Sequence, residues 1–248
     1  MRTRWVSALV LVLTVGAAAA HAAEARAVVE RYLTRVSGAA LRDLTLEQDL
    51  TLYNLDGRAV FASGIQRVII KFPDRQRVEQ VIEGRTDVRL TVGDKTWRRA
   101  ADGRVTSFAS PRGQSVALAL PLARSADEIL AEWRGLGVRE DRVHVTRLGG
   151  RTVTVIGAQQ GERDRPAAWL DPDLGVMRFV AREPAESGSV LTDIVFGDHR
   201  ALLGALHFPW RQEIFRSGKL VVRSIVRSAA VNTSPPDALF DPAALGAR

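Results

Sequence analysis

Turn signals that recur about every ten residues constrain the fold of this chain more than any other feature. Short runs of alternating apolar and polar residues are separated by Asp56-Gly57, Pro73-Asp74, Gly84, Gly93-Asp94 and Asp102-Gly103. Alternation with a period of two is typical of half-buried β-strands, and turn signals at this spacing indicate strands joined by hairpins. The pattern predicts an antiparallel meander and argues against alternating helices and strands.

The first predicted strand is long. Leu46, Leu50 and Leu52 share one of its faces, and its span over residues 46–54 would reach about 30 Å at roughly 3.3 Å per residue. Such a length predicts a large, curved sheet. Further strands are predicted over residues 142–148, 152–158, 168–170, 176–182, 190–196, 208–215 and 220–229.

Two segments have a helical pattern. Residues 23–36 carry an apolar stripe that includes Val29, Tyr32 and Val36. The second segment starts at Ser125, a favourable N-cap, with Glu128 at the position that completes a capping box. Its apolar face is formed by Ile129, Leu130 and Trp133.

The amino terminus has the three parts of a secretory signal peptide. Arg2 and Arg4 precede a short apolar run over residues 5–15, and a tract of small residues ends with Ala20-His21-Ala22. The run is shorter than the roughly 20 apolar residues that a membrane-spanning helix needs. We expect cleavage after Ala22, which leaves one exported domain over residues 23–248.

The sequence contains no cysteine. Disulfides, thiolate metal sites, cysteine nucleophiles and amino-terminal lipidation are therefore excluded. A domain of this size can bury about 70–75% of the surface of its unfolded chain, so a hydrophobic core can stabilise it without disulfides. We expect a soluble periplasmic protein that is not lipidated and has no transmembrane helix after cleavage.

The chain is basic, with a formal net charge of +7. Arg2 and Arg4 supply two of these charges, which leaves +5 on the exported domain. Export argues against nucleic acid as a partner, whereas anionic head groups attract basic residues near a membrane surface. Transient contact with a membrane surface is one interpretation, and a charge that serves solubility alone is the other.

Residues 207–215, HFPWRQEIF, bring a histidine, an arginine and a glutamate close together in the sequence. Their alternation and the Ser217-Gly218 turn that follows predict one strand of a hairpin. Arg211 and Glu213 are then expected to form a surface ion pair, and we assign the segment no catalytic role.

Three histidines remain after the predicted cleavage: His144, His199 and His207. None is spaced from another as metal ligands commonly are, so no metal or cofactor is expected. Asp198 and His199 could form an acid–base pair in a hydrolase, but no nucleophile motif accompanies them. We therefore expect no catalytic residue and no enzymatic activity.

Four short motifs follow one another in the last third of the chain. They are Trp169-Leu170-Asp171-Pro172 with Gly175 and Arg178, Phe196-Gly197-Asp198-His199, Gly204 with Phe208-Pro209, and Val231-Asn232 with Leu239-Phe240. In this order the chain resembles the LolA/LolB-like superfamily of periplasmic lipoprotein carriers, also called outer-membrane lipoprotein-sorting proteins. The resemblance extends over essentially the whole exported domain.

The resemblance implies a mainly β (α+β) fold, in which a curved antiparallel sheet forms an incomplete barrel and a few helices cover it as a lid. It also implies an apolar cavity that holds lipid or lipoprotein acyl chains in transport towards the outer membrane, between inner-membrane donor and outer-membrane acceptor proteins. The dedicated carrier has an arginine inside its barrel, for which Arg67, Arg77 and Arg89 are candidates. The expected lining is Leu46, Leu50, Leu52, Ile69, Val78, Ile82 and Leu90, with Trp97 and Trp133 near the lid.

The resemblance leaves the function partly open. The ligand could be a lipoprotein, a phospholipid or another lipid. The same fold occurs in the periplasmic regulator RseB, so a sensor or scaffold module that binds other envelope proteins is the alternative to a carrier.

Overall fold

The computed structural model describes residues 4–109, 118–122, 124–185 and 188–245. Within these residues one antiparallel sheet of thirteen strands is combined with two α-helices, α1 (Arg4–Val36) and α2 (Ala126–Gly135). The strands are β1 (Asp43–Tyr53), β2 (Val60–Lys71), β3 (Arg75–Ile82), β4 (Arg85–Val92), β5 (Lys95–Arg99), β6 (Val105–Ala109), β7 (Val143–Leu148), β8 (Arg151–Ile156), β9 (Ala167–Asp171), β10 (Gly175–Ala185), β11 (Gly188–Leu203), β12 (Leu206–Arg216) and β13 (Lys219–Val231).

The strand order confirms the predicted meander. It runs β6-β5-β4-β3-β2-β1-β13-β12-β11-β10-β9-β8-β7, so nearly every strand pairs with its neighbour in sequence. The exception is the pairing of β1 with β13, which joins the two halves of the chain in the middle of the sheet. Because β6 and β7 lie at opposite edges, the sheet is not closed into a barrel. The predicted mainly β fold, an incomplete barrel with a helical cover, is confirmed.

Irregular pairing bends the long strands. The register of β1 against β13 shifts between Glu47 and Gln48, and that of β11 against β12 shifts between Ala201 and Leu203. Such bulges increase local twist and allow a long strand to curve. The polar segment around His199 is part of β11.

Helix α1 is longer than predicted. It begins at Arg4 and includes the segment that we interpret as a signal peptide. Residues 17–27 are mostly alanine, the strongest helix former, so no local signal ends the helix between the two segments. Its carboxy-terminal half buries Ala25, Val29, Tyr32 and Val36 against the sheet and α2. Among the described residues, no helix is both long and apolar enough to span a membrane.

The predicted capping box of α2 is formed. Ser125 Oγ accepts a hydrogen bond from the Glu128 backbone N–H at 3.3 Å, and the Glu128 carboxylate accepts one from the Ser125 N–H at 2.7 Å. These bonds to Ser125 lower the pKa of Glu128. The sequence also predicts a loop or short helix over residues 110–121, and this segment lies partly outside the described residues. With its ends fixed, α2 buries Ile129, Leu130 and Trp133 in the main core.

The two faces of the sheet carry separate cores. The main core lies between the concave face and the helices, and includes Leu44, Ile70 and Phe179. On the opposite face, Ile69, Val88 and Leu90 pack against Phe240 and Leu245 from two 3₁₀ turns, Asp237–Phe240 and Pro242–Leu245.

The carboxy-terminal segment is tied to the sheet by charged groups. The buried Asp43 carboxylate accepts hydrogen bonds from the backbone N–H groups of Thr233 and Ser234 at 2.7 and 3.1 Å. Asp237 binds Lys71 and Arg75 at 2.5 and 2.8 Å. The segment therefore covers one patch of the convex face beside β2–β4.

Candidate functional site

A cavity of about 950 Å³ lies on the concave face, in the part that α1 and α2 do not cover. Strands β1–β4 and β10–β13 form its floor, and Ala119, Gly135 and Leu136 border it beside the end of α2. Its apolar lining consists of Leu46, Leu50, Leu52, Val68, Val78, Ile82, Ala119, Leu136, Ile194, Phe196, Phe208, Pro209, Ile214, Val222 and Val226.

Five of the nine residues that we expected to line a cavity border this one. They share the faces predicted from their spacing, because every second side chain of a strand points to the same side of the sheet. These residues are Leu46, Leu50 and Leu52 on β1, and Val78 and Ile82 on β3. Their contact with a lipid stays a prediction.

Ile69, Leu90 and Trp97 lie on the other face of the sheet. Their neighbours Val68 and Arg89 border the cavity, so a period of two directs Ile69 and Leu90 away from it. All three belong to the cluster beneath the carboxy-terminal 3₁₀ turns, where Trp97 is partly buried. Their placement in the cavity was wrong because the sequence shows two apolar faces and the expectation assumed one.

Trp133 belongs to the covering helix, but it packs into the main core. It is buried on α2, and its ring lies 5.6 Å from the ring of Phe179, centre to centre, at an angle of 52°. The side chain therefore joins α2 to β10 and does not border the cavity.

The sequence analysis missed the polar part of the lining. Five glutamine side chains reach the cavity: Gln48, Gln66, Gln76, Gln80 and Gln212. The signal was present in the same alternation, because Gln48 lies between Leu46 and Leu50, and Gln80 between Val78 and Ile82. We had considered only the apolar members of these faces.

Three arginines and one glutamate also border the cavity: Arg89, Arg182, Arg216 and Glu183. Among the three candidates for an internal arginine, Arg89 faces the cavity. Arg67 is exposed, and Arg77 binds Glu79 at 2.7 Å and the Leu239 carbonyl oxygen at 3.1 Å beside the carboxy-terminal segment.

The structure does not form the acid–base pair considered for Asp198 and His199. The Asp198 carboxylate binds Arg200 at 2.7 Å, and this hydrogen bond lowers the pKa of Asp198. Burial lowers the pKa of His199 to about 4, so the imidazole is neutral near pH 7. The two side chains therefore have separate structural roles.

The segment 207–215 is strand β12, as predicted, but its charged residues pair differently. Glu213 binds Arg223 of β13 at 2.8 Å, and Arg211 lies over Gly197 of β11. The expected ion pair within the strand was wrong because partners on adjacent strands lie closer than alternate residues of one strand.

The segment WLDPDLG forms the tight turn between β9 and β10. The buried Asp171 carboxylate accepts hydrogen bonds from the Asp173 and Leu174 N–H groups at 2.8 and 3.0 Å, and binds Arg151 at 2.5 Å. Gly175 follows with a φ of +87°, where an added Cβ would lie 2.5 Å from the Tyr32 hydroxyl oxygen. This turn therefore supports the packing of α1 on the sheet.

No protein-family model and no curated protein matches the sequence, whereas several solved structures share its fold. A domain from Vibrio parahaemolyticus named for outer membrane lipoprotein sorting aligns with a TM-score of 0.60 at 11% identity, over 91% of this chain and 99% of that domain. A DUF1329 family protein from Desulfovibrio piger ATCC 29098 gives a TM-score of 0.57 at 13% identity, over 88% of this chain and 98% of its own.

A LolA superfamily protein from Nitrosomonas europaea aligns with a TM-score of 0.53 at 13% identity, over 87% of this chain and 98% of its own. Each alignment extends over nearly the whole of the other chain, so the likeness concerns the complete fold and not one hairpin. At these identities the comparison establishes architecture. The resemblance inferred from the motifs is confirmed at that level, and the chain has the LolA-like fold.

Proposed function

We propose that the protein is an exported carrier that binds lipid or lipoprotein acyl chains in its concave cavity and catalyses no reaction. The observation that carries the proposal is the cavity of about 950 Å³ on the uncovered half of the concave face. Its volume lies within the range of about 300–1,000 Å³ that is usual for ligand pockets. The shared fold with a domain named for lipoprotein sorting supports the same conclusion.

The driving force for such binding is the removal of apolar surface from water. Leu52 and Ile82 are half-buried at the edge of the cavity, and Val222 and Ile214 continue the apolar surface on β13 and β12. An acyl chain laid against them would gain about 25 cal/mol for each Å² of apolar surface buried.

The proposed location is the periplasm. The signal peptide over residues 1–22 would be removed there, leaving a single half-barrel domain over residues 23–248. Transport towards the outer membrane would need a donor protein at the inner membrane and an acceptor at the outer membrane.

Transient contact with a membrane surface fits the hairpin between β1 and β2. Leu55, Val60 and Phe61 are 88%, 58% and 72% exposed, and Arg58 lies between them in sequence. Exposed apolar clusters of this kind commonly mark membrane or protein contacts. This hairpin follows directly on Leu52, so its contact with a membrane would bring the edge of the cavity close to lipid.

The first test is mass spectrometry of the native protein purified from the periplasm, followed by lipid extraction. A stoichiometric lipid supports a carrier and identifies its cargo. An unliganded mass, together with no uptake of an apolar fluorescent probe, contradicts the proposal.

Ile82→Asp places a charge at the edge of the cavity and should abolish probe binding. Val145→Asp is the matched control, because Val145 is a β-branched strand residue that is 60% exposed on β7. Equal binding by both variants would exclude Ile82 from the site.

A module that binds other envelope proteins is the second candidate, and edge strand β6 favours it. All five residues of Val105–Ala109 are exposed, including Phe108. An edge strand of this kind can pair with an extended segment of another protein. An unliganded protein that captures a defined envelope protein, and loses it when Thr106 is replaced by proline, would favour this candidate.

A further inference from the structure

A row of side-chain amides crosses the cavity floor on three neighbouring strands. Gln48 on β1 lies opposite Gln66 on β2, and Gln66 lies opposite Gln80 on β3. Neighbouring strands are about 4.8 Å apart, so the backbone positions of the three glutamines are regularly spaced. We call Gln48, Gln66 and Gln80 the glutamine row.

Most of the hydrogen-bonding capacity of this row is unused. Gln48 Nε2 donates to Gln66 Oε1. In the described part of the chain, the Gln80 amide makes no hydrogen bond to another side chain or to the backbone. Each amide has two N–H donors and a carbonyl acceptor, so several donors at the cavity remain available to a ligand.

One unpaired cation borders the cavity near the end of the row. Arg89 on β4 lies opposite Val78, while Asp87, two residues away, lies opposite Gln80. Asp87 already binds Arg98 at 2.7 Å. Across the described residues, no carboxylate or hydrogen-bond acceptor binds the Arg89 guanidinium.

The other charges at the cavity are engaged. Arg182 donates to Ser189 Oγ at 3.1 Å. Glu183 accepts a hydrogen bond from Thr192 at 2.9 Å and lies 3.8 Å from Arg216. The cavity thus has one acid for three arginines. Arg89 is exposed, and its guanidinium is free to exchange water for an anionic group of a ligand.

We propose that the ligand is an anionic lipid whose acyl chains are attached through carbonyl groups, as in an ester-linked glycerophospholipid. The carbonyl oxygens accept hydrogen bonds from the glutamine row, and the phosphate pairs with Arg89. The acyl chains extend along Leu50, Leu52 and Val222. This inference rests on the proposed carrier function and specifies its substrate class.

The spacing of these groups supports the assignment. Gln80 and Arg89 are diagonal neighbours on adjacent strands, a relation that places Cβ atoms about 7–8 Å apart, within reach of long side chains. Only a glycerol unit separates the ester carbonyl from the phosphate in such a lipid. One ligand can therefore contact the amide row and the guanidinium together.

The polar row also acts against other ligands. A pure hydrocarbon would remove water from the amides without replacing its hydrogen bonds, which is unfavourable for every buried polar group. A site built to hydrogen-bond its substrate discriminates strongly against an analogue that lacks the bonding group. We therefore expect selection by linkage and charge as well as by chain length.

The experiment compares three lipids of equal chain length on the protein with residues 1–22 removed. They are ester-linked phosphatidylglycerol, ether-linked phosphatidylglycerol, which lacks the carbonyls, and ester-linked phosphatidylcholine, which has no net charge. We expect the protein to bind the ester-linked anionic lipid about 10-fold more tightly than either of the other two lipids. Equal affinity for the ester and ether lipids overturns the role of the glutamine row.

Variants assign the effect to residues. Gln66→Leu with Gln80→Leu should remove the preference for ester over ether linkage and leave binding of an apolar fluorescent probe intact. Gln160→Leu, at an exposed turn outside the cavity, is the control. Circular dichroism checks the fold, and the comparison of lipids on the unaltered protein stands even if the double variant does not fold.

Arg89→Gln should weaken binding of the anionic lipid about 5- to 10-fold with little change for phosphatidylcholine. The control is Arg147→Gln, at an exposed position of β7, which should change the affinity for neither lipid. Equal losses of affinity for both lipids overturn the pairing of phosphate with Arg89.

Tighter binding of an uncharged acylated peptide than of phosphatidylglycerol also overturns the inference. If the unaltered protein binds the apolar probe but shows no lipid preference, this inference fails alone, whereas absence of probe binding contradicts the carrier itself.

Discussion

The two halves of the concave face are built on the same strands but have different surroundings. In β1, Leu44 is fully buried beneath the helices, whereas Leu52, eight residues later on the same face, is half-buried at the cavity. In β12, Leu206 is fully buried and Ile214 lines the cavity. We call these regions the packed half and the open half.

The difference follows from the lengths of the elements. An eleven-residue strand such as β1 spans about 36 Å at roughly 3.3 Å per residue. The ten residues of α2 span about 15 Å at 1.5 Å each. Helix α2 is therefore shorter than β1, and Leu136, just beyond its end, borders the cavity.

The composition of the strands changes at the same border. On β2, Ile70 lies in the packed half, Val68 lies at the border of the cavity, and Gln66 lies in the open half. Burial beneath a helix requires apolar side chains, because unpaired amides there would be costly. The open half can keep amides because water or a ligand can satisfy them.

Leu44→Ala tests the packed half and should have the largest effect. Removal of this fully buried side chain loses its transfer free energy and leaves a void, for a destabilisation of about 3–4 kcal/mol. Urea unfolding followed by circular dichroism measures the change. A loss below about 1 kcal/mol would show that the two halves do not differ in packing.

The next largest expected effect is a dependence of the free energy of unfolding on pH, which arises from the titration of the partly buried His199. Burial lowers its pKa to about 4, whereas the unfolded chain should titrate near 6.5. The unfolded state therefore binds the proton more readily, and the contribution of His199 is fully present above about pH 6.5 and is lost as pH falls to about 4. The expected loss is on the order of 2 kcal/mol, since the side chain is partly exposed.

Unfolding in urea at several pH values measures this loss, and His199→Gln should flatten the profile within that window. An unchanged slope in the variant would assign the pH dependence to other groups.

The hairpin order and the capped helix α2 could be predicted from the sequence because their signals are local. Asp56-Gly57 makes a turn wherever it occurs between alternating runs, and Ser125 with Glu128 caps a helix through neighbouring atoms. The pairing of β1 with β13 joins residues more than 150 positions apart, and no local signal in the sequence predicted it.

The site was predicted less well, for two physical reasons. Ile69 and Leu90 are as apolar as Leu50, but they face a second core that the 3₁₀ turns around Phe240 create, and those short turns have no periodic signal. Gln66 and Gln80 were not assigned to the cavity, because the alternation of a strand does not distinguish a polar residue in a ligand cavity from one on a surface.

Leu52→Ala repeats the first substitution in the open half, where the effect on stability should be small. Because the side chain already borders open space, truncation makes no new enclosed void, and we expect a loss of at most about 1 kcal/mol. The affinity for an apolar probe should nevertheless fall several-fold, since apolar contact is removed from the ligand. Stability losses equal to those of Leu44→Ala would contradict the division into two halves.

The smallest effect concerns one buried polar atom in the packed half. Among the described residues the Tyr32 hydroxyl has no hydrogen-bond partner, and burial raises the pKa of Tyr32 to about 12. Tyr32→Phe keeps the ring against Gly175 and removes an unsatisfied group, so we expect the free energy of unfolding to rise by about 0.5 kcal/mol. Thermal unfolding should show a slightly higher midpoint for this variant. The control is Tyr53→Phe, at a half-buried position of β1, which should leave the midpoint unchanged. A loss of 1 kcal/mol or more would mean that the hydroxyl is hydrogen-bonded, and that the packed half, like the open half, admits a polar partner.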